Sequence, residues 1–199
     1  MKLRLVVLDI AGTTVNDFGL VQKAAMNTMK EKLAVDVTLD DANKVMGIPK
    51  YAEKGSIELM PHAGELFESI RACGSQVYLN TGFNRAIAEV IVHNLNLGNV
   101  LNGYIGSDEV MAGRPQPDMI RLAMKRSGVE YSHFVMKVGD TISDLYEGFS
   151  AGCAWNVGVL TGANTYEELR TAPYSQILSN LQPLLGYFPK PSGLLRSRK

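Results

Sequence analysis

The sequence predicts an α/β fold in which a parallel β-sheet lies between two layers of helices. Apolar runs rich in β-branched residues alternate with segments whose apolar residues recur at helical spacing, which is typical of repeated strand–helix–strand units. The runs are also continuously hydrophobic, as in L-R-L-V-V-L at 3–8 and H-F-V-M-K-V at 133–138. Continuous hydrophobicity indicates strands covered on both faces. We therefore expect a three-layer, Rossmann-like core.

The strands and helices of this core follow from the two patterns in chain order. Five apolar runs and a weaker sixth predict strands near residues 3–9, 76–81, 102–107, 134–139, 153–160 and 176–178. Apolar residues at helical spacing predict helices near residues 63–73, 85–95, 118–127 and 144–151. Each helix would cross from one parallel strand to another with a right-handed connection.

Residues 17–60 break the alternation. They contain no convincing strand and instead predict helices at 20–33 and 38–46, the second opening with a capping box from Thr38 to Asp41. Inserted directly after the first strand, these helices would form a small helical cap over the carboxyl edge of the sheet. The alternative is an ordinary first crossover, which needs only about a dozen residues.

With the cap, the chain divides into three parts. The expected core comprises residues 1–16 and 61–188, and the cap comprises residues 17–60. Residues 189–199 contain two prolines, one glycine and four basic residues, so we expect a flexible basic tail.

Composition excludes several classes of function. The chain has 199 residues, 46% of them hydrophobic, and twenty basic residues balance twenty acidic ones. A balanced charge favours neither nucleic acid nor an acidic membrane as a partner. No stretch approaches the roughly 20 apolar residues that span a bilayer, and the first apolar run is too short for a secretory signal. Two cysteines without metal-ligand spacing favour a reduced, cytoplasmic setting.

Four short polar segments follow predicted strands, at residues 9–14, 79–83, 112–117 and 138–144. Each is weak evidence alone, because such residues are common in turns. The carboxyl ends of parallel strands meet at one edge, where α/β proteins bind ligands. Together the four segments therefore predict a phosphoryl-transfer site.

The acidic residues of these segments have distinct expected roles. Asp9 can attack phosphorus and form an aspartyl-phosphate, which splits one difficult displacement into two easier ones. An anionic nucleophile and an anionic substrate need a hard cation with oxygen ligands. We predict a Mg²⁺ site formed by Asp9, Asp140, Asp144 and the backbone carbonyl of Ala11.

Two further residues would hold the phosphoryl group. Thr81 offers a hydroxyl and a backbone N–H to a phosphoryl oxygen. Arg114, followed by Pro115, offers a fixed positive charge for the transition state.

The order and content of the four segments resemble the haloacid dehalogenase superfamily. Its four loops are a D-x-D/A-x-T/V nucleophile loop, a Ser or Thr, a Lys or Arg, and an acidic pair, and the resemblance covers residues 3–162. It implies that Gly12, Thr13 and Gly82 help to bind the substrate, together with Ala11. Most phosphatases of the superfamily carry a second acid two residues after the nucleophile, which protonates the leaving oxygen. Here that residue is Ala11.

Alanine at this position resembles the phosphonatase branch, which has a D-x-A-G-T-T loop and cleaves a carbon–phosphorus bond. The resemblance implies a cap lysine that forms a Schiff base with a substrate aldehyde and withdraws electrons as the bond breaks. Phosphonatases carry it in an M-G-x-x-K segment, and Met46 to Lys50 read M-G-I-P-K. Lys50 is therefore the expected Schiff-base lysine, with Met46 and Gly47 in the substrate pocket. The alternative is a solvated surface lysine, as we expect of Lys44 and Lys54.

The chain departs from phosphonatases in two places. Phe83 stands where they have a tyrosine, so a hydroxyl is lost. Only ten residues separate Lys50 from Pro61, where phosphonatases continue with further cap helices. A shortened cap would leave the pocket more open to water. His62 could replace a cap residue, but its place before A-G-E-L favours a helix start.

Three functions remain open from the sequence. The first is a Mg²⁺-dependent phosphonatase-like hydrolase acting on phosphonoacetaldehyde. The second is a phosphate-monoester phosphatase of the same superfamily, acting on phosphoglycolate or a sugar phosphate. The third is a catalytically impaired relative with a truncated cap. A homodimer is also left open: Ile57, Leu59 and Met60 could serve a subunit interface or simply pack in the core.

Overall fold

The computed structural model of the protein describes residues 2–16 and 57–189. The two helices expected at 20–33 and 38–46, residues Met46, Gly47 and Lys50, and residues 190–199 of the expected tail lie outside the described residues. The domain division and the cap therefore stay predictions.

Six parallel strands form the main sheet, as the sequence predicts. In spatial order β5-β4-β1-β6-β7-β8, they are Gly103–Ile105, Gln76–Asn80, Leu5–Asp9, Val135–Gly139, Trp155–Val159 and Gln176–Leu178. Every pair of neighbours in this sheet is parallel. Strand β1 occupies a central position, and all five of its residues are buried.

Helices follow the strands on both sides of the sheet. In chain order α1 to α5 are Ala63–Ala72, Arg85–Asn94, Asp118–Ser127, Ile142–Ala151 and Tyr166–Leu169. Short 3-10 turns cover Leu97–Asn99, Ser107–Glu109, Ser132–Phe134 and Gln182–Tyr187. His62 immediately precedes α1, as expected, although its side chain makes no capping hydrogen bond.

Alternate residues of β1 face two hydrophobic layers. Val6 and Leu8 belong to the core cluster that contains Phe67 of α1, whereas Val7 belongs to the cluster that contains Ile120 of α3. Complete burial of a Val or Leu side chain contributes roughly 1.5–3 kcal/mol. The three-layer architecture thus follows from the continuous hydrophobicity of β1.

A second, two-stranded sheet corrects one expectation. Strands β2 (Val15–Asn16) and β3 (Glu58–Leu59) pair antiparallel, although we expected no strand between residues 17 and 60. Two residues are too few for an alternating pattern to appear in the sequence. The pairing is fixed by backbone hydrogen bonds, including one of 2.9 Å from the Met60 N–H to the Thr14 carbonyl.

The apolar residues beside this small sheet pack into the core. Ile57 is buried in the same cluster as Phe67, and Leu59 and Met60 are partly buried against it. Core packing was one of the two roles that the sequence left open for these three residues, beside a subunit interface, and these contacts are of that kind. Within residues 2–16 and 57–189, no helix is both long and apolar enough to cross a bilayer.

Candidate active site

The carboxyl edge of the central strands brings the four polar segments together. Asp9 is the last residue of β1 and pairs with Asn80, the last residue of β4. Asp140 directly follows β6, which lies on the other side of β1. The candidate site is therefore built on the middle of the sheet.

The loop after Asp9 is closed by its own hydrogen bonds. The Thr14 N–H donates to the Ile10 carbonyl over 3.0 Å, and the Thr14 hydroxyl donates to the Asp9 carbonyl over 2.8 Å. Gly12 has a φ of 82°, which favours glycine because it has no Cβ. The loop thereby fixes the position of the Asp9 carboxylate, and Asp9 is only 5% exposed.

Three aspartates meet at this edge. One carboxylate oxygen from each of Asp9, Asp140 and Asp144 lies within 4.8 Å of the others, and all three residues are buried. The Thr13 hydroxyl donates to Asp140 Oδ1 over 2.8 Å, and the Ala163 N–H donates to Asp140 Oδ2, also over 2.8 Å. Asp140 is therefore held by two different loops.

Two glycines allow these loops to close around Asp140. A Cβ at Gly12 would lie 2.6 Å from Asp140 Oδ2, and a Cβ at Gly162 would lie still closer. The Thr161 hydroxyl donates to the Gly12 carbonyl over 2.6 Å and joins the two loops. A side chain at either glycine would push the Asp140 carboxylate out of position.

Asp144 is fixed by the start of α4. Thr141 caps this helix, and Asp144 in its first turn accepts a hydrogen bond from the Thr141 hydroxyl over 2.6 Å through Oδ2. Its other oxygen, Oδ1, lies 2.9 Å from both Arg114 Nη1 and Lys137 Nζ. Asp144 thus links the acidic cluster to two buried cations.

Arg114 joins the nucleophile to the rest of the site. Its Nη2 lies 2.6 Å from Asp9 Oδ1, and it donates to the Asn80 carbonyl over 2.8 Å. Its Nε lies 3.2 Å from Glu147 Oε2. Burial alone would lower the pKa of Arg114, but the carboxylates of Asp144, Asp9 and Glu147 outweigh it and raise this pKa.

Burial and repulsion perturb the aspartates in different directions. Burial raises the pKa of Asp9 to about 6 against the opposing charge of Arg114. Burial, with repulsion from Asp9 and Asp144, raises the pKa of Asp140 to about 8. Burial would also raise the pKa of Asp144, but Arg114 and Lys137 reverse the effect and lower it. Strongly shifted carboxyl groups in one cluster are typical of functional sites.

The second predicted segment lies at the end of β4, beside Asp9. Thr81 is buried and its hydroxyl accepts a hydrogen bond from the Phe83 N–H over 3.2 Å. Gly82 is exposed, and a Cβ there would meet no atom of residues 2–16 or 57–189 within 4 Å. Thr81 and Gly82 thus directly follow the strand that pairs with β1, next to Asp9.

Sequence reasoning missed three buried residues of the site, Asn80, Lys137 and Glu147. All three are fully buried, and each contacts Asp144, Arg114 or both. A signal was present: Lys137 interrupts an apolar strand, and Glu147 lies one helical turn after Asp144. Only the fold, however, places these three side chains together.

The predicted residues divide into two groups. Those that the structure brings to the carboxyl edge are Asp9, Ala11, Gly12, Thr13, Thr81, Gly82, Arg114, Asp140 and Asp144. Lys50, Met46 and Gly47 lie outside the described residues. The chemical roles of both groups stay predictions.

Comparison with known proteins places this architecture in a family. The chain is 28% identical to the phosphonoacetaldehyde hydrolase of Bacillus cereus strain B4264, over 86% of this chain and 82% of the relative. A phosphonoacetaldehyde hydrolase-like protein from Oleispira antarctica has the same fold, with a TM-score of 0.78, 20% identity, and coverage of 94% of this chain and 93% of that one. A Bacteroides fragilis structure described as a haloacid dehalogenase-like hydrolase gives a TM-score of 0.81 at 17% identity, over 92% of this chain and all of that one.

A family model supplies the last comparison, and it spans more than half of the chain. It describes haloacid dehalogenase-like hydrolases and matches residues 19–152, a range that includes the segments carrying Thr81, Arg114 and Asp144. With the parallel sheet and the acidic edge already described, the match identifies the chain as a hydrolase that belongs to the haloacid dehalogenase-like family.

Proposed function

We propose that the protein is a Mg²⁺-dependent phosphonatase that cleaves the C–P bond of phosphonoacetaldehyde through an aspartyl-phosphate and a Schiff base on Lys50. The observation that carries the proposal is the nucleophile loop. Asp9 is buried 2.6 Å from Arg114, yet residue 11 is an alanine and cannot protonate a leaving oxygen. The name of the Bacillus cereus relative agrees with this substrate.

The chain's own residues divide the reaction into balanced steps. The Lys50 amine condenses with the aldehyde, releases water and forms an iminium. An oxygen of Asp9 then attacks phosphorus, and the electron pair of the breaking C–P bond moves into the iminium and gives an enamine. The enamine takes up a proton and is hydrolysed to acetaldehyde and free Lys50. A water molecule finally attacks the aspartyl-phosphate and releases phosphate and Asp9.

Arg114 and the loop residues would stabilise the charge of the phosphoryl group during these steps. The Arg114 guanidinium already lies beside Asp9, so it needs little movement to contact an oxygen of a phosphonate attacked there. Thr81, Gly82, Gly12 and Thr13 surround the same edge. We propose that their backbone and hydroxyl groups bind the remaining phosphonate oxygens.

The residues present fit a divalent cation. Among residues 2–16 and 57–189, four buried carboxylates, of Asp9, Asp140, Asp144 and Glu147, meet two cations, Arg114 and Lys137, so these six side chains carry a formal excess of two negative charges. Burial is the main cause of the raised pKa values of Asp9 and Asp140, and repulsion between the neighbouring carboxylates adds to it. Asp9, Asp140 and the Ala11 carbonyl would hold Mg²⁺. The ion would neutralise the carboxylates and polarise the phosphoryl group.

Asp144 differs from the other two aspartates because it is paired with two buried cations, whereas Asp9 is paired with Arg114 alone and Asp140 with neither. Its Oδ1 contacts Arg114 and Lys137, and its Oδ2 contacts Thr141. We propose that it contributes to the cation site mainly through its charge. Direct ligation by Asp144 stays a prediction.

Thermal stability should report the cation site through its pH dependence. The pKa values of Asp9 and Asp140 are raised from 3.8 to about 6 and about 8 in the folded protein. The folded protein binds these two protons more tightly than the unfolded chain does, and this stabilises the fold at low pH. The stabilisation is lost as pH rises through the two folded-state pKa values. Without metal, we expect Tm to fall between about pH 5 and pH 8.5 by several degrees, since 1 kcal/mol shifts Tm by about 2–4 °C in a domain of this size.

Added Mg²⁺ should reverse the loss, because its ligands must be deprotonated to bind. We expect Mg²⁺ to raise Tm more at pH 8.5 than at pH 5, measured by differential scanning calorimetry in EDTA and in excess Mg²⁺. Asp140→Asn is the control and should remove most of the difference. An equal Mg²⁺ effect at both pH values, or a full effect in Asp140→Asn, would contradict the proposed site.

The substrate class is tested by restoring the missing acid. Wild-type protein with Mg²⁺ should release phosphate and acetaldehyde in equal amounts from phosphonoacetaldehyde and little phosphate from phosphoglycolate or a sugar phosphate. Ala11→Asp should raise monoester hydrolysis by about 10²-fold, the lower end of the range that general acid catalysis supplies. Ala11→Asn has the same size without the acid and should leave monoester hydrolysis unchanged.

A wild-type protein that hydrolyses monoesters efficiently and leaves phosphonoacetaldehyde intact would support the monoester phosphatase instead. Absence of activity on every phosphoryl substrate would support the impaired relative. A cytoplasmic setting and a homodimer stay predictions of the sequence. In the described residues both cysteines, Cys73 and Cys153, are free thiols.

A further inference from the structure

We infer that Lys137 and Glu147 are positioning residues that hold Arg114 against the nucleophile Asp9. The inference rests on the proposed role of Asp9 as the phosphoryl acceptor. Neither side chain belongs to the four loops that predicted the site, and both are fully buried beneath it.

The two cations Lys137 and Arg114 share the same three oxygen atoms. Asn80 Oδ1 accepts from Lys137 Nζ over 2.6 Å and from Arg114 Nη2 over 3.1 Å. Asp144 Oδ1 lies 2.9 Å from both cations. Glu147 Oε2 lies 3.1 Å from Lys137 Nζ and 3.2 Å from Arg114 Nε. Each of the three oxygens thus lies between Lys137 and Arg114 and contacts both.

Glu147 is itself oriented by an amide. Asn80 Nδ2 donates to Glu147 Oε1 over 2.8 Å and to Oε2 over 2.9 Å. Helix α4 can bring Glu147 this close to β6 because the next residue is Gly148, where a Cβ would lie 2.9 Å from the Lys137 Cβ. The network therefore has a defined geometry that this chain's own residues fix.

The network leaves Arg114 little freedom. Glu147 contacts Nε and Asp144 contacts Nη1, while Nη2 faces Asp9. A free arginine side chain would lose rotamer entropy when it becomes ordered on a phosphoryl group. Here the order is already present, which is the requirement for an efficient electrostatic contribution to the transition state.

Stability alone does not explain these buried charges. A buried ion pair is often no more stabilising than apolar side chains of similar volume. Lys137 lies in a strand whose neighbouring residues, Met136 and Val138, are buried and apolar, so a hydrophobic residue would suit the strand. The specific contribution of the pair is the orientation of Arg114 and Asp144.

The test uses beryllium fluoride with Mg²⁺, a phosphoryl mimic that binds an ionised aspartate, followed by ¹⁹F NMR. Wild-type protein should give resonances of a bound adduct that Asp9→Asn lacks. Glu147→Gln keeps the shape and removes the charge that orients Arg114. We expect it to stay folded by circular dichroism, to bind the mimic on the order of 10²-fold more weakly, and to show shifted ¹⁹F resonances.

Glu109→Gln is the matched control. Glu109 is also a largely buried carboxylate between two cations, 3.0 Å from Arg85 and 2.7 Å from Arg126. The same change there should leave the affinity for the mimic and the ¹⁹F resonances unchanged. The double variant Lys137→Met/Glu147→Gln removes one positive and one negative charge together. Neither residue of the Lys137–Glu147 pair is then left as a buried charge without its partner. It should bind the mimic as weakly as Glu147→Gln.

The outcomes separate this inference from the proposed function. If wild-type protein forms no adduct, the role of Asp9 as phosphoryl acceptor is wrong. If wild-type protein forms the adduct and a folded Glu147→Gln or double variant binds it with the same affinity and resonances, the positioning role is wrong. Equal weakening in Glu109→Gln would also overturn it, because the effect would then not be specific to the network.

Discussion

Asp9→Asn is expected to lower the rate of product release from phosphonoacetaldehyde by on the order of 10⁴-fold or more. Removal of a catalytic nucleophile causes a loss of this size in other enzymes. The amide is nearly isosteric with the carboxylate but is a poor nucleophile. Asp9 is buried at the end of β1, beside Arg114, and no other carboxylate among the described residues is placed on this loop. Phosphate and acetaldehyde, assayed together with excess Mg²⁺, measure the loss.

Glu130→Gln is the matched control for Asp9→Asn. Glu130 is exposed and lies in the connection between α3 and β6, which enters the sheet at the amino edge, opposite the site. The change should leave the rate of product release unchanged. Substantial activity in a folded Asp9→Asn protein would show that another group attacks phosphorus.

Lys50→Arg is expected to lower the rate of C–P cleavage by roughly 10³-fold or more, because a guanidinium does not condense with an aldehyde. Without the iminium, the electron pair of the breaking C–P bond would have to move into the neutral carbonyl and give an enolate, and a carbonyl accepts electrons less readily than an iminium. The change preserves the positive charge, so a loss of activity reports chemistry rather than charge. The rate of acetaldehyde formation is the measurement.

Two comparisons sharpen the Lys50→Arg result. Lys44→Arg and Lys54→Arg make the same change at the neighbouring lysines and should retain activity. In an Ala11→Asp background, Lys50→Arg should lower phosphonate cleavage and leave the restored monoester hydrolysis nearly intact. Equal loss of both activities would mean that Lys50 supports the site in some other way than through an imine.

The sequence predicted the main sheet well because its signal is strong and local. Strand β1 is continuously apolar and is buried on both faces, between Phe67 on one side and Ile120 on the other. The short pair β2 and β3 was missed because two residues carry no periodicity, and their register depends on a contact between residues 15 and 59. Long-range pairing of this kind is determined by the folded core.

The candidate site was predictable to the extent that its residues follow strands. Asp9 and Asp140 each occupy a strand end, and parallel strands bring such ends to one edge. Asn80, Lys137 and Glu147 were missed because their side chains meet only through the register of β4 with β1 and the packing of α4 on β6. The signs of this network in the sequence are the lysine within an apolar strand and the glutamate one helical turn after Asp144.

In the proposed reaction, Lys50 activates the leaving group while Asp9 attacks phosphorus. Borohydride reduction during turnover of phosphonoacetaldehyde, followed by peptide mass spectrometry, tests it most directly. We predict a secondary amine on Lys50, carrying an ethyl or phosphonoethyl group, with loss of activity in proportion to the modification. Continued release of phosphate and acetaldehyde with Lys50 unmodified would contradict the proposed reaction.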